Sequence, residues 1–160
     1  MSITPRQPRL HVALVEPEIH WNTGNAGRTC LAAGAKLHLI APLGFSLEAK
    51  EVRRAGLDYW PAVRPCLWPD WATFETHLPE LGRPYFFTAE AERDLWQPDY
   101  PLPAVLIFGS ESCGLPSAVR RKHRSDLVRI PQLKDTVRSL NHSSAVGIAL
   151  YEVLRRNRPD

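Results

Sequence analysis

The sequence predicts an α/β fold, a mainly parallel sheet flanked by helices, in one domain over residues 1–160. Three observations carry that reading. Short apolar runs alternate with segments of helical spacing along almost the whole chain. Ala104 to Phe108 (AVLIF) is apolar without interruption, as in a strand covered on both faces. The 160 residues are 44% apolar and 23% charged, which suffices for a buried core and argues against disorder beyond Met1–Pro8 and the tail after Arg155.

The elements follow in order. Leu10 to Val15 (LHVALV) is the first strand, stopped at Glu16-Pro17 because proline has no ladder donor. Asn25 to Ala33 is a helix with Gly34 as its stop. Leu37 to Ala41 is the second strand, and Ser46 to Ala55 a basic helix that ends at Gly56. Tyr59 to Trp68 contains Pro61 and Pro65, so a strand there is broken or lies at an edge. Trp71 to Leu78 has helical spacing, Tyr85 to Thr88 is a short buried strand, and Ala89 to Pro103 is an acidic, proline-rich loop. Beyond the Ala104–Phe108 strand, Pro116 to His123 is a helix with proline in its first turn, and Asp126 to Ile130 is another strand. Ser143 to Arg156 closes the chain as a helix with Val146, Ala149, Leu150, Val153 and Leu154 on one face.

Composition excludes several classes of function. Cys30, Cys66 and Cys113 include no Cys-x-x-Cys pair, and each reads as a reduced, buried small hydrophobe. The six histidines show no metal-ligand spacing, so no metal is expected. No apolar stretch has the length of a signal peptide or a membrane span; the expected location is the cytoplasm, away from membranes. Lys and Arg exceed Asp and Glu by 3, a balance compatible with nucleic acid that does not establish it. Placement says more: Arg53-Arg54, Arg120 to Arg124 and Arg155-Arg156 are clusters able to meet phosphates, or to stand as solvated helix faces.

In parallel α/β sheets, ligands bind beyond the carboxyl ends of the strands. Three polar segments are expected there: Asn22 to Arg28, Phe108 to Leu115, and Arg138 to Ser144. In the first, glycines allow close backbone approach, Asn22 and Asn25 donate and accept, and Arg28 on the first helical turn can grip a phosphate. The same residues also serve as a turn with a helix cap. In the second, Gly109 offers bare backbone to an adenosyl group, and Glu111 either accepts from a ribose hydroxyl or orders the loop. Neither a dinucleotide fingerprint nor a P-loop is present. In the third, Ser139, Asn141, Ser143 and Ser144 supply more short polar groups than one cap needs.

Together, Asn-x-Gly-Asn-x-x-Arg, Phe-Gly-x-Glu-x-x-Gly-Leu and Ile-Pro…Arg-Ser-Leu-Asn-x-Ser, in this order, resemble the SpoU branch of the SPOUT methyltransferases. The likeness is greatest to the minimal tRNA wobble-position ribose methyltransferases, and it covers about residues 10–157. It implies a C-terminal trefoil knot, S-adenosylmethionine as cofactor, a homodimer, and 2′-O-methylation of tRNA at position 34. By the same resemblance Arg28 is catalytic, and Phe87, Gly109, Ile130 and Ser139 bind the cofactor. Asn22, Asn25, Glu111, Arg138 and Asn141 are candidates for the RNA side, and Gly147 and Ala149 for close approach in a dimer. An arginine is a poor base, so Arg28 is expected to orient a phosphate and stabilise the developing alkoxide. The chain departs from the family pattern at His20-Trp21, at one extra residue between Ile130 and Arg138, and at His142 in place of leucine. The alternatives are the same chemistry at another tRNA position or on ribosomal RNA, a non-catalytic RNA-binding module, and a small-molecule nucleotide enzyme.

Overall fold

The protein is described here from a computed structural model over residues 8–48, 50–51 and 58–159. Its strands are β1 Leu10–Val15, β2 Lys36–Ile40, β3 Cys66–Trp68, β4 Arg83–Phe87, β5 Ala104–Phe108 and β6 Leu127–Val128. They form one sheet in the order β3-β2-β1-β5-β4-β6, and every pairing is parallel. The helices are α1 His20–Ala33, α2 Trp60–Val63, α3 Trp71–Leu81, α4 Ser117–Lys122 and α5 His142–Arg156, with a 3₁₀ turn at Arg124–Asp126.

Residues alternate across the sheet, so each face builds its own apolar layer. Val12, Leu14, Leu37, Leu39, Leu106 and Phe108 pack against Ala26 and Cys30 of α1 and Val146, Ala149, Leu150 and Val153 of α5. On the other face Ala13, Val15, Phe86, Val105 and Ile107 pack against Phe74, Leu78, Leu115 and Val119. All residues of β1 and β5 are buried, the burial that their unbroken apolar runs predict. The chain steps outward from β1 through β2 to β3, crosses to β4, and returns with β5 between β1 and β4. That reversal brings the carboxyl ends of β1, β5, β4 and β6 together: Leu14 pairs with Phe108, Phe108 with Phe87, and Phe87 with Val128.

Several boundaries differ from expectation. α1 starts at His20 rather than Asn25, so the segment Asn22–Arg28 is helical, and Arg28 stands well inside the helix. Glycine disfavours helices. Here Gly24 and Gly27 are buried, and a Cβ on Gly27 would lie 2.9 Å from the Trp60 ring, so tertiary packing outweighs propensity. The front half of Tyr59–Trp68 is α2 with Pro61 in its first turn; only Cys66–Trp68 is the expected edge strand. α3 continues through Pro79 to Leu81, and Pro116 is the N-cap of α4 rather than a first-turn residue. β6 keeps two residues of the five expected: Asp126 belongs to the 3₁₀ turn, and Arg129 leaves β4 to form an isolated parallel bridge with Asp94. Ser46–Glu48 is not helical while Lys50–Glu51 is; the rest of the predicted basic helix, with Arg53-Arg54, lies outside the described residues. Of the three cysteines only Cys30 is buried, and burial pushes its thiol up to about 12; Cys66 is half-buried and Cys113 exposed.

Candidate active site

A cleft of about 590 Å³ opens where the strand ends converge. Its wall includes Phe87, Gly109, Ile130 and Ser139 together with Asn22, Glu111, Arg138 and Asn141. Eight of the ten residues singled out from the sequence therefore meet at one place. Phe87 at the end of β4 and Phe108 at the end of β5 stack in the cleft wall with centroids 4.8 Å apart at 9°.

Gly109 follows β5 directly. A Cβ there would stand 2.0 Å from the Gly114 carbonyl carbon, so only glycine lets the loop close. Ser110 and Gly114 exchange backbone hydrogen bonds, and Gly114 takes φ of 66°. The loop is locked to the start of α1 by a reciprocal pair of carboxylates. Glu111 accepts from the backbone N–H of Glu18 (2.8 Å) and of Ile19 (3.3 Å). Glu18 accepts from the Ser112 N–H and hydroxyl, the hydroxyl first holding its carboxyl below the usual carboxylate range. Ile19, the N-cap of α1, has no side-chain cap of its own, so Glu111 supplies it from a distant loop. Of the two readings of Glu111, ordering the loop is the one its contacts satisfy.

The third segment opens α5. Asn141 Oδ1 accepts from the N–H of Ser143 and Ser144 and from the Ser143 hydroxyl, while Nδ2 donates to Asn22 Oδ1 at 3.3 Å. Asn141 thus both caps α5 and ties it to α1. His142 packs its Nε2 2.8 Å from the Gly109 carbonyl oxygen. Ser139 and Arg138 are exposed, and an Arg138 N–H reaches the Ser112 carbonyl at 3.5 Å.

Two residues are not brought to the cleft wall. Arg28 and Asn25 stand on the exposed face of α1, and the Arg28 guanidinium lies 5.6 Å from the centroid of the Tyr59 ring. Tyr59 is itself fixed by donating its hydroxyl to the Gly24 carbonyl. The close-approach reading of Gly147 and Ala149 also changes: Ala149 is fully buried in the chain's own core, and a Cβ on Gly147 would meet Thr29 of α1. Among the described residues, the second and third basic clusters are partly paired with acids. Arg120 pairs with Glu90, Lys122 and His123 with Glu75, and Arg155 and Arg156 with Glu152. Sequence reasoning did not single out Glu18 or Arg120 for this region, since their partners, Ser112 and Glu90, come from distant segments; Phe108 stood at the head of the second motif.

The sequence profile of the SpoU rRNA methylase family matches residues 9–151. The chain belongs to that family. It is 39% identical over 149 residues to a tRNA (cytidine(34)-2′-O)-methyltransferase of Acidovorax sp., covering 92% of this chain and 91% of the relative. A solved structure concerned with 2-OH methylation of C/U34 on tRNA superposes with a TM-score of 0.85 at 43% identity, over 94% of this chain and 97% of that one. An AdoMet-bound rRNA methyltransferase from Sinorhizobium meliloti superposes with a TM-score of 0.79 at 27% identity, over 99% of this chain but 60% of its own. Among the described residues no helix is long and apolar enough to cross a membrane, and no group of three His, Cys, Asp or Glu residues could hold a metal ion.

Proposed function

We propose that this chain transfers a methyl group from S-adenosylmethionine to the ribose 2′-oxygen of the wobble nucleotide, position 34, of tRNA. The observation that carries the reading is the convergence of Phe87, Gly109, Ile130 and Ser139 on one cleft, in a chain matched over nearly its full length by a wobble-position enzyme. The rRNA-directed neighbour is 27% identical to this chain and the structure concerned with C/U34 of tRNA 43%, which favours tRNA over ribosomal RNA.

The cleft suits the cofactor. Its volume is within the range of small-ligand sites, its apolar lining of Phe87, Phe108 and Ile130 suits a purine, and Gly109 exposes backbone where a side chain would intrude. When bound, S-adenosylmethionine supplies an activated methyl group, so the protein's task is to position two reactants and assist loss of the 2′ proton. Ser139 offers a hydroxyl at the exposed rim, and Arg138 a guanidinium beside it. Arg28 orients the phosphate next to the target ribose and stabilises negative charge on the 2′-oxygen. Asn22 and Asn141 act by joining the starts of α1 and α5 beneath the cleft.

The working unit in this reading is a homodimer. Trp21 and Leu31 on α1 and Ile148 and Tyr151 on α5 are exposed apolar side chains on adjoining helices, the face offered to a second copy. Arg28 shares that side of α1 and stands outside its own cleft wall, so the dimer presents it to the partner's cleft. The segment from Ile130 to Asn141 returns under the Gly109–Gly114 loop, reaching Ser112 through Arg138 and Gly109 through His142; we read this return as the threading of a trefoil knot. The test is incubation of purified protein with labelled S-adenosylmethionine and either total tRNA or ribosomal RNA. Label entering tRNA alone supports the proposal, and label entering neither refutes it.

A further inference from the structure

Among the described residues the Asp, Glu, Lys and Arg side chains that line the cleft are Glu90, Glu111, Arg120 and Arg138. Glu111 is spent on the two amides at the start of α1, and Arg138 lies at the exposed rim against the Ser112 carbonyl. The Glu90 and Arg120 side chains pair with each other and, among the described residues, hold no other element of the cleft. They come from separate segments. Glu90 follows β4 by three residues, in a turn where the Thr88 hydroxyl accepts from the Glu90 N–H and the Thr88 carbonyl from the Ala91 N–H, each at 3.3 Å. Arg120 is carried by α4, whose Lys122 and His123 are taken by Glu75 of α3. Arg120 donates to Glu90 from Nη1, while its Nε is buried with no hydrogen-bond partner, so the guanidinium has donors to spare.

The helices α1 and α5 cover one face of the sheet and α4 the other. The cleft therefore carries Asn22 and Asn141 on one side of the strand ends and Arg120 on the opposite side. With an adenosyl group on the apolar lining of Phe87, Phe108 and Ile130, the α4 side is left for the rest of the cofactor. That remainder is an amino acid, with an α-carboxylate and an α-ammonium on one carbon. A guanidinium and a carboxylate already side by side match it charge for charge. We propose that Glu90 and Arg120 are the specificity-determining residues for the amino-acid end of S-adenosylmethionine, Arg120 taking the α-carboxylate and Glu90 the α-ammonium. The proposal rests on the methyltransferase reading above. The ligand divides the existing pair between its own two charges, so none of the four is left uncompensated. A pair that only fastened the turn after β4 to α4 would treat every adenosyl ligand alike.

The experiment is calorimetric titration of the purified protein with S-adenosylhomocysteine and with 5′-methylthioadenosine, which keeps the adenosine and the sulfur but lacks the amino acid. Wild type should bind S-adenosylhomocysteine at least about tenfold more tightly, the size of one charge-assisted hydrogen bond. Arg120→Met, which keeps the apolar stem, should lose that preference while binding 5′-methylthioadenosine as wild type does. Glu90→Gln should lose part of it, again with 5′-methylthioadenosine unaffected. Equal affinity of wild type for the two ligands, an unchanged preference in Arg120→Met, or an equal loss of both ligands in either variant overturns the proposal and leaves the cofactor reading intact. Wild type that binds neither ligand overturns both.

Discussion

Glu111 has both carboxylate oxygens on backbone amides, and Asn141 has its Oδ1 on three donors. Side chains so occupied build the cleft, and those left exposed, Arg28, Arg138 and Ser139, are the ones we propose to meet the ligands. Arg28→Ala should lower methylation at least about a hundredfold, as expected for loss of a charge-stabilising donor, while calorimetry finds cofactor affinity unchanged. Equal loss of both would remove Arg28 from the reaction. A second site predicts acid sensitivity. The Trp68 indole donates to His38 Nδ1, so His38 Nε2 donates to His11 Nδ1, each at 3.0 Å in the buried sheet. Burial, reinforced by His11, pushes His38 down from 6.5 to about 3, and burial lowers His11 too. Both are neutral in the fold and take up protons on unfolding, so their contribution is complete above pH 6.5 and lost as pH falls toward 3. Carboxylates such as Glu18 and Glu152 titrate from 4.5 downward, which leaves the interval above to the histidines. Urea unfolding should lose up to about 1 kcal/mol per pH unit there, and His38→Gln should reduce that slope.

At the scale of elements, the junction of α1 with the Gly109–Gly114 loop governs the site. Glu111→Ala removes the side chain that, among the described residues, caps Ile19, and should cost about 1–2 kcal/mol in urea unfolding, with Glu111→Gln losing less. Identical stability of both variants to wild type would deny Glu111 this role. The same junction shows what the sequence could and could not reveal. β1 and β5 were legible to the residue because strands buried on both faces read as unbroken apolar runs. The start of α1 was not, because its first turns are polar and glycine-rich and owe their helicity to Trp60 and to Glu111, a residue 93 positions from Glu18 in the chain. The cleft wall was legible through its motifs. That Arg28 stands outside it was not, since helical phase decides which way a side chain faces, and the helix begins five residues earlier than its pattern suggests.

For the whole molecule, a homodimer in which Arg28 serves the partner's cleft makes a distinctive prediction. Mixing Arg28→Ala chains with chains blocked at the cofactor rim by Ser139→Trp should restore activity to about one quarter of wild type, because random pairing gives half heterodimers with one complete site each. No restoration would place Arg28 in its own cleft. Arg120, Lys122 and Arg155 are paired with acids within the chain, so the proposed RNA contact falls to the other basic residues. RNA affinity should still fall at least about tenfold between low and physiological salt. Mass-spectrometric mapping of tRNA methylated by the purified protein decides which atom of which RNA receives the methyl group: a 2′-O-methyl ribose at position 34 is expected, and methylation of a base, or of a ribose elsewhere, would refute the proposed function.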